Sequence, residues 1–213
     1  MDGEVLRGYR VLAVDGTIVN LPFNPDAESF LRVETHPKGG YNALHTTPLF
    51  DVLSKTFFDC EIQPESHMDE IGGITQMLKY NDFPQKTLIL ADRLYESYNL
   101  FAHMLEKPNV DFLIRIKQNR SALREVARLP MLELDCDISF TISTTQTNED
   151  KEKRHIFLQV PNKSKEGAKT RKARWDFPSP YPMRLRIVRF RLDSGEYEII
   201  ATSLPRDFTP EEI

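Results

Sequence analysis

The chain has 213 residues, 40% hydrophobic and 28% charged, with a formal net charge of −4. That is enough chain for one good core, or one core with a sizeable insertion. No apolar run approaches the ~20 residues of a membrane span, the first residues lack the apolar stretch of a signal peptide, and no global basic field draws nucleic acid to the whole surface. Two cysteines, Cys60 and Cys136, make no disulfide framework, so a reducing, cytoplasmic setting is the default.

In chain order, residues 1–8 are a lead-in and residues 9–15 a first strand. Its apolar run Val11-Leu12-Ala13-Val14 ends on Asp15, followed by Gly16 and Thr17. Residues 20–40 are rich in Pro, Gly and Asn and read as a long irregular connection. Residues 41–52 and 55–63 carry β-formers and predict a hairpin, which with the first strand makes a three-stranded meander. Asp69 caps a helix with Ile71, Ile74, Met77 and Leu78 on one face. The apolar run 87–91 is a fourth strand and ends on Asp92 and Arg93. A helix follows Ser97 and stops before Pro108, residues 111–116 are a fifth strand, and residues 121–129 a short basic helix.

After Pro130 the texture turns to β. Residues 138–146, 154–160, 184–192 and 196–204 predict strands, the last two joined at Ser194-Gly195, with a polar, basic, proline-rich stretch at 161–182. Thr209-Pro210-Glu211-Glu212 has the form of a helix start. Charge is segregated: residues 115–128 carry a local +4 and residues 151–175 a local +7. Such segregation points to an anionic partner at one face, against the plain alternative of solvated loops.

Two carboxylates, Asp15 and Asp92, each close an apolar strand, where the chemistry of α/β sheets usually sits. On neighbouring strands about 4.8 Å apart they would share one site suited to divalent ions, which prefer oxygen ligands. Phosphodiester cleavage by two ions about 3.5–4 Å apart needs several carboxylates. A third has no obvious place between residues 93 and 213. Glu96 reads as a helix-dipole charge, and Glu211 and Glu212 as N-terminal helix charges. Taken singly, Asp15-Gly16 and Asp92-Arg93 are also ordinary turn pairs. Asp15-Gly16-Thr17 also has the form of an aspartyl-phosphate phosphatase motif, but Ala13 stands where the nucleophile would be. His45 reads as a core or face residue, and His67 and His103 have no metal-ligand spacing.

AVDGT at 13–17, KGGYNALHTTPLFDV at 38–52, LILADRLYESYNLF at 88–101, FLIRIKQN at 112–119 and IIATSLP at 199–205 resemble insertion-sequence transposases of the DDE class, the insertion-sequence-4 family in particular. The resemblance implies an α/β, ribonuclease H-like mixed sheet with a β-rich insertion after the core. The expected division is a catalytic core at 1–130, the insertion at 131–208 and the start of a truncated catalytic helix at 209–213. It implies metal-dependent strand cleavage and strand transfer at transposon ends, with Asp15 and Asp92 as catalytic residues and ligands of Mg²⁺ or Mn²⁺. Double-stranded DNA, both transposon ends and target, is the implied partner, and a homodimer the implied state of the full-length protein. Arg93, Arg115, Lys117, Asn119 and Arg120 are expected near the phosphates. Lys169, Arg171, Lys172 and Arg174 are expected to clamp DNA, with Trp175 stacking on an extruded base or packing against the insertion.

Leu94 stands where the family often has Gly after Asp-Arg, and the family's third carboxylate, a Glu after the insertion, has no counterpart in the chain. The expectation is therefore weak metal binding and no DNA cleavage by this chain alone. The competing readings are a non-catalytic DNA-binding remnant of a transposase and a ribonuclease H-like nuclease.

Overall fold

The computed structural model describes residues 5–118, 121–160 and 174–213. The chain forms two compact units, Met1–Tyr95 with Lys107–Ile114, and Glu96–Glu106 with Arg115–Ile213.

The first unit is built on β1 (Arg10–Val14), β2 (Thr17–Leu21), β3 (Phe30–Arg32), β4 (Gly40–Asp51), β5 (Thr56–Pro64), helix α1 (Glu70–Tyr80), β6 (Thr87–Ala91) and β7 (Val110–Arg115). Strands β5, β4, β1, β6 and β7 neighbour one another in that order. The first two junctions are antiparallel and the last two parallel. This is the expected ribonuclease H-like mixed sheet, and the meander inferred for its first three strands is present. β6 lies between two parallel neighbours and its residues TLILA are buried almost throughout, the pattern of a strand covered on both faces. Leu12, Leu49, Ile74, Ile89, Phe112 and Ile114 have no exposed surface, and each such burial contributes roughly 1.5–3 kcal/mol.

β1 and β2 are one strand with a break. Leu12 pairs with Asp51 and Val14 with Leu49, and beyond the break Thr17 pairs with Thr46 and Leu21 with Asn42, all in one register along β4. The break falls on Asp15 and Gly16. The connection expected to be irregular over 20–40 therefore contains the end of β2 and all of β3. These were illegible because β2 is exposed along its length and alternates no apolar face. α1 begins where expected, Asp69 accepting the Gly72 N–H at 2.8 Å. It lies close on the β4–β5 hairpin, where a Cβ on Gly73 would sit 3.3 Å from that of Glu61.

The second unit holds α2 (Tyr98–Glu106), β8 (Leu134–Ser143), α3 (Asn148–Glu152), β9 (Ile156–Phe157), β10 (Tyr181–Arg191) and β11 (Tyr197–Thr202). β10 pairs antiparallel with β11 and β8, and β8 parallel with the two-residue β9. Strand 154–160 is thus much shorter than expected. The basic helix expected at 121–129 is instead a set of turns with a single 3₁₀ segment, Val126–Arg128. Its physical reason is Glu96, which is 8% exposed. Its carboxylate accepts the N–H groups of Lys117 at 3.2 Å and Leu123 at 2.9 Å and the Ser121 hydroxyl. That grip fixes Lys117, Ser121 and Leu123 rather than acting through the dipole of α2. α3 opens with a capping box between Thr147 and Asp150.

Candidate metal centre at the β1 and β6 ends

β1 and β6 run parallel with Val14 opposite Ala91, so Asp15 and Asp92 are the next residues on two adjacent strands. Each accepts a backbone N–H from just downstream. One Asp15 oxygen accepts the Gly16 N–H at 2.9 Å. One Asp92 oxygen accepts the Leu94 N–H at 2.7 Å, starting the 3₁₀ turn Arg93–Tyr95. The second oxygen of each has no hydrogen bond or ion pair among the described residues. Arg93, the turn partner the sequence offers Asp92, forms no ion pair among them either.

A third acid stands beside these two. Glu70, in the first turn of α1, has Oε1 3.2 Å from Nε2 of His45, which is 3% exposed on β4. Glu70 also lies against the β1–β2 break: a Cβ on Gly16 would fall 2.1 Å from Glu70 Oε1 and 2.7 Å from His45 Cε1. Only glycine leaves that room. Tyr95, which ends the 3₁₀ turn after Asp92, is fully buried, with its hydroxyl within reach of Glu70. Burial, and then the charges of Glu70, Asp15 and Asp92, push its phenol well above the ordinary tyrosine range. The expected core or face placement of His45 is the one observed. Sequence reasoning missed Glu70, for which the only signal is a glycine directly after a strand-end aspartate, a mark of close approach.

The donor types suit a hard divalent cation: carboxylate oxygens from two strand ends, with no competing cation among the described residues. Among the described residues no three His, Cys, Asp or Glu side chains converge into one inner ligand set.

The remaining expected site residues lie elsewhere. Arg115 is bound bidentately by Glu198, at 2.9 and 2.6 Å. The Lys117 side chain is half-buried and forms no ion pair among the described residues. Arg174 pairs with Asp176 at 3.2 Å. Trp175 packs against Phe177 and Tyr181, both at ring-centroid distances of 5.4 Å, and donates its indole N–H to the Pro178 carbonyl. These contacts favour packing over stacking on a base. Asn119, Arg120, Lys169, Arg171 and Lys172 lie outside the described residues. The second unit also carries a cavity whose lining includes Glu125, Arg128, Phe140, Lys153, Arg154 and Arg184. Among the described residues Arg154 has no anionic partner.

A mixed sheet in this strand order resembles the fold of a transposase catalytic domain. The chain matches the transposase DDE domain family over residues 6–213 and belongs to it. Members of that family are generally dependent on divalent metal ions. A solved structure of similar fold is that of piggyBac transposase in a synaptic complex with hairpin DNA. The two are 10% identical, with a TM-score of 0.51 over 95% of this chain and 34% of that one. The chain thus spans about a third of that protein's length. No curated protein matches it in sequence. Among the described residues no helix is long and apolar enough to cross a membrane.

Proposed function

We propose that this chain is the catalytic part of a DNA transposase, of the insertion-sequence-4 group, acting in strand cleavage and strand transfer at transposon ends. The observation that carries the reading is the pairing of Val14 with Ala91, which brings Asp15 and Asp92 to one place on adjacent strands. Those two residues would hold Mg²⁺ or Mn²⁺. The ions, once bound, would activate the attacking water or 3′-hydroxyl and offset charge on the phosphate. The residues of the chain hold and orient. Gly16 and Leu94 donate N–H groups that fix one oxygen of each aspartate, and the other would be the oxygen to meet the ion.

Double-stranded DNA is the proposed partner, with a homodimer in the full-length protein. Arg93 and Lys117 are the best placed of the expected phosphate contacts, being cations without an ion pair among the described residues. Arg115 and Arg174 would first have to leave Glu198 and Asp176. Two strand-end aspartates are fewer carboxylates than a two-ion site takes, so the chain by itself is proposed to bind ions weakly and not to cleave DNA. Mg²⁺-dependent cleavage by the purified chain would refute that.

The test of the site is calorimetric Mn²⁺ titration. Asp15→Asn and Asp92→Asn are each expected to weaken binding by at least about tenfold, since even outer-shell partners are worth that much. Equal weak binding in wild type and both variants would instead favour the non-catalytic DNA-binding remnant.

A further inference from the structure

Three features at the Asp15–Asp92 corner have no part in the reading above: the acid Glu70, the buried His45 it faces, and the missing side chain at Gly16. Their arrangement is specific. Glu70 Oε1 lies 3.2 Å from His45 Nε2, and neither ring nitrogen of His45 has a hydrogen bond. Gly16 is the residue directly after Asp15, and any side chain there would displace the Glu70 carboxylate, its Cβ falling 2.1 Å from Oε1. Tyr95 is fully buried, and after burial it feels the charges of Glu70, Asp15 and Asp92 and a hydrogen bond with Glu70. Three carboxylates thus crowd one buried donor with no fixed cation among the described residues. That is an arrangement a bound cation would relieve.

We propose that Glu70 is the third acidic group of the divalent-cation site, seated by His45 and admitted by Gly16. The inference rests on the reading of Asp15 and Asp92 as ion ligands. Glu70 acts from the outer sphere, accepting hydrogen bonds from water on the ion. The described residues offer no three-ligand inner set, and Mg²⁺ keeps several of its waters. The site is then more complete within the first unit than its two strand-end aspartates alone imply.

The experiment is Mn²⁺ binding to the chain by calorimetry and electron paramagnetic resonance, with melting temperature as the check on folding. Glu70→Gln keeps the shape and removes the charge, and is expected to weaken Mn²⁺ binding about tenfold. Gly16→Ala keeps every carboxylate and is expected to give a similar loss, because the added methyl moves Glu70. The double variant is expected to be no weaker than Glu70→Gln, since both changes remove one interaction. If Asp15→Asn loses binding while Glu70→Gln binds as wild type does, Glu70 has no such role and the aspartate site stands. Additive losses in the double variant would overturn the coupling through Gly16. Wild-type binding no better than that of Asp15→Asn would remove the site itself and this inference with it. Should Glu70→Gln fail to fold, Glu70→Asp, which retains the charge but shortens its reach, is expected to lose binding more weakly; unchanged binding there together with unchanged binding in Gly16→Ala would overturn the proposal.

Discussion

The two units of this chain use paired aspartates in opposite ways. In the second unit Asp135 and Asp137 lie two apart on β8, on one face of the strand, and arginines neutralise both. Arg186 meets Asp135 at 2.8 Å, Arg206 reaches Asp135 at 2.6 Å and Asp137 at 3.1 Å, and Arg184 reaches Asp137 at 3.1 Å. In the first unit Asp15 and Asp92 have no cation at all among the described residues. The first arrangement holds a fold together. The second leaves an exposed and a half-exposed carboxylate unneutralised among the described residues, the condition a cation from outside would meet.

The comparison breaks most visibly at Arg186. It is 4% exposed, and beyond Asp135 it donates to the carbonyls of Leu204, Pro205 and Phe208. It thereby ties the 204–208 backbone to β10. Arg186→Met is expected to cost about 3–5 kcal/mol, because a half-buried carboxylate and three carbonyls lose their donor. Urea unfolding measures it, and a loss below 1 kcal/mol would show the network to be ornamental.

The acid dependence of the same network is next in size. Hydrogen bonds from Arg186 hold the Asp135 carboxyl below the usual carboxylate range, and those from Arg184 and Arg206 do the same for Asp137. Asp150 is held low first by its bond from Thr147, then by His155. A carboxylate whose folded pKa is depressed adds stability above its ordinary value near 4 and loses it as pH falls through the folded value. Unfolding midpoints are therefore expected to fall steeply below about pH 4, and less steeply in Asp135→Asn. A parallel fall in both would assign the acid sensitivity elsewhere.

Glu96 is a carboxylate of a third kind, committed to backbone N–H groups and a hydroxyl instead of to cations. Glu96→Gln retains one acceptor oxygen of two and is expected to cost about 1–3 kcal/mol, with faster amide exchange at Lys117 and Leu123. Unchanged exchange there would mean that the loop holds itself.

What the sequence disclosed follows the same physics. Elements whose apolar spacing is tied to a core were legible: β1, β6 and β7 as short buried runs, α1 from its cap and its Ile74-Met77-Leu78 stripe, and the β10–β11 hairpin from Ser194-Gly195. The match of Asp15 to Asp92 was legible because each ends such a run. Elements made by tertiary contact were not. β2 has no buried face, α3 is a five-residue helix set by its capping box, and the turns at 121–129 depend on a glutamate some 25 residues earlier. Glu70 was hidden for the same reason. Its neighbour Asp69 explains the helix start completely, so nothing in the local pattern asks for a second function one residue on.

The smallest expected effect bears most directly on the contrast. If Asp15 and Asp92 are kept for a ligand and not for the fold, replacing either should leave stability unharmed. Asp15→Asn preserves the acceptor for the Gly16 N–H and removes one of three neighbouring negative charges around Tyr95. Its melting temperature in the absence of metal is expected to equal or slightly exceed that of wild type, within about 0.5 kcal/mol, as for a surface change. Added Mn²⁺ should then stabilise wild type by mass action and leave the variant where it was. A metal-free variant destabilised as much as Arg186→Met would place Asp15 with the structural acids and erase the difference between the two units.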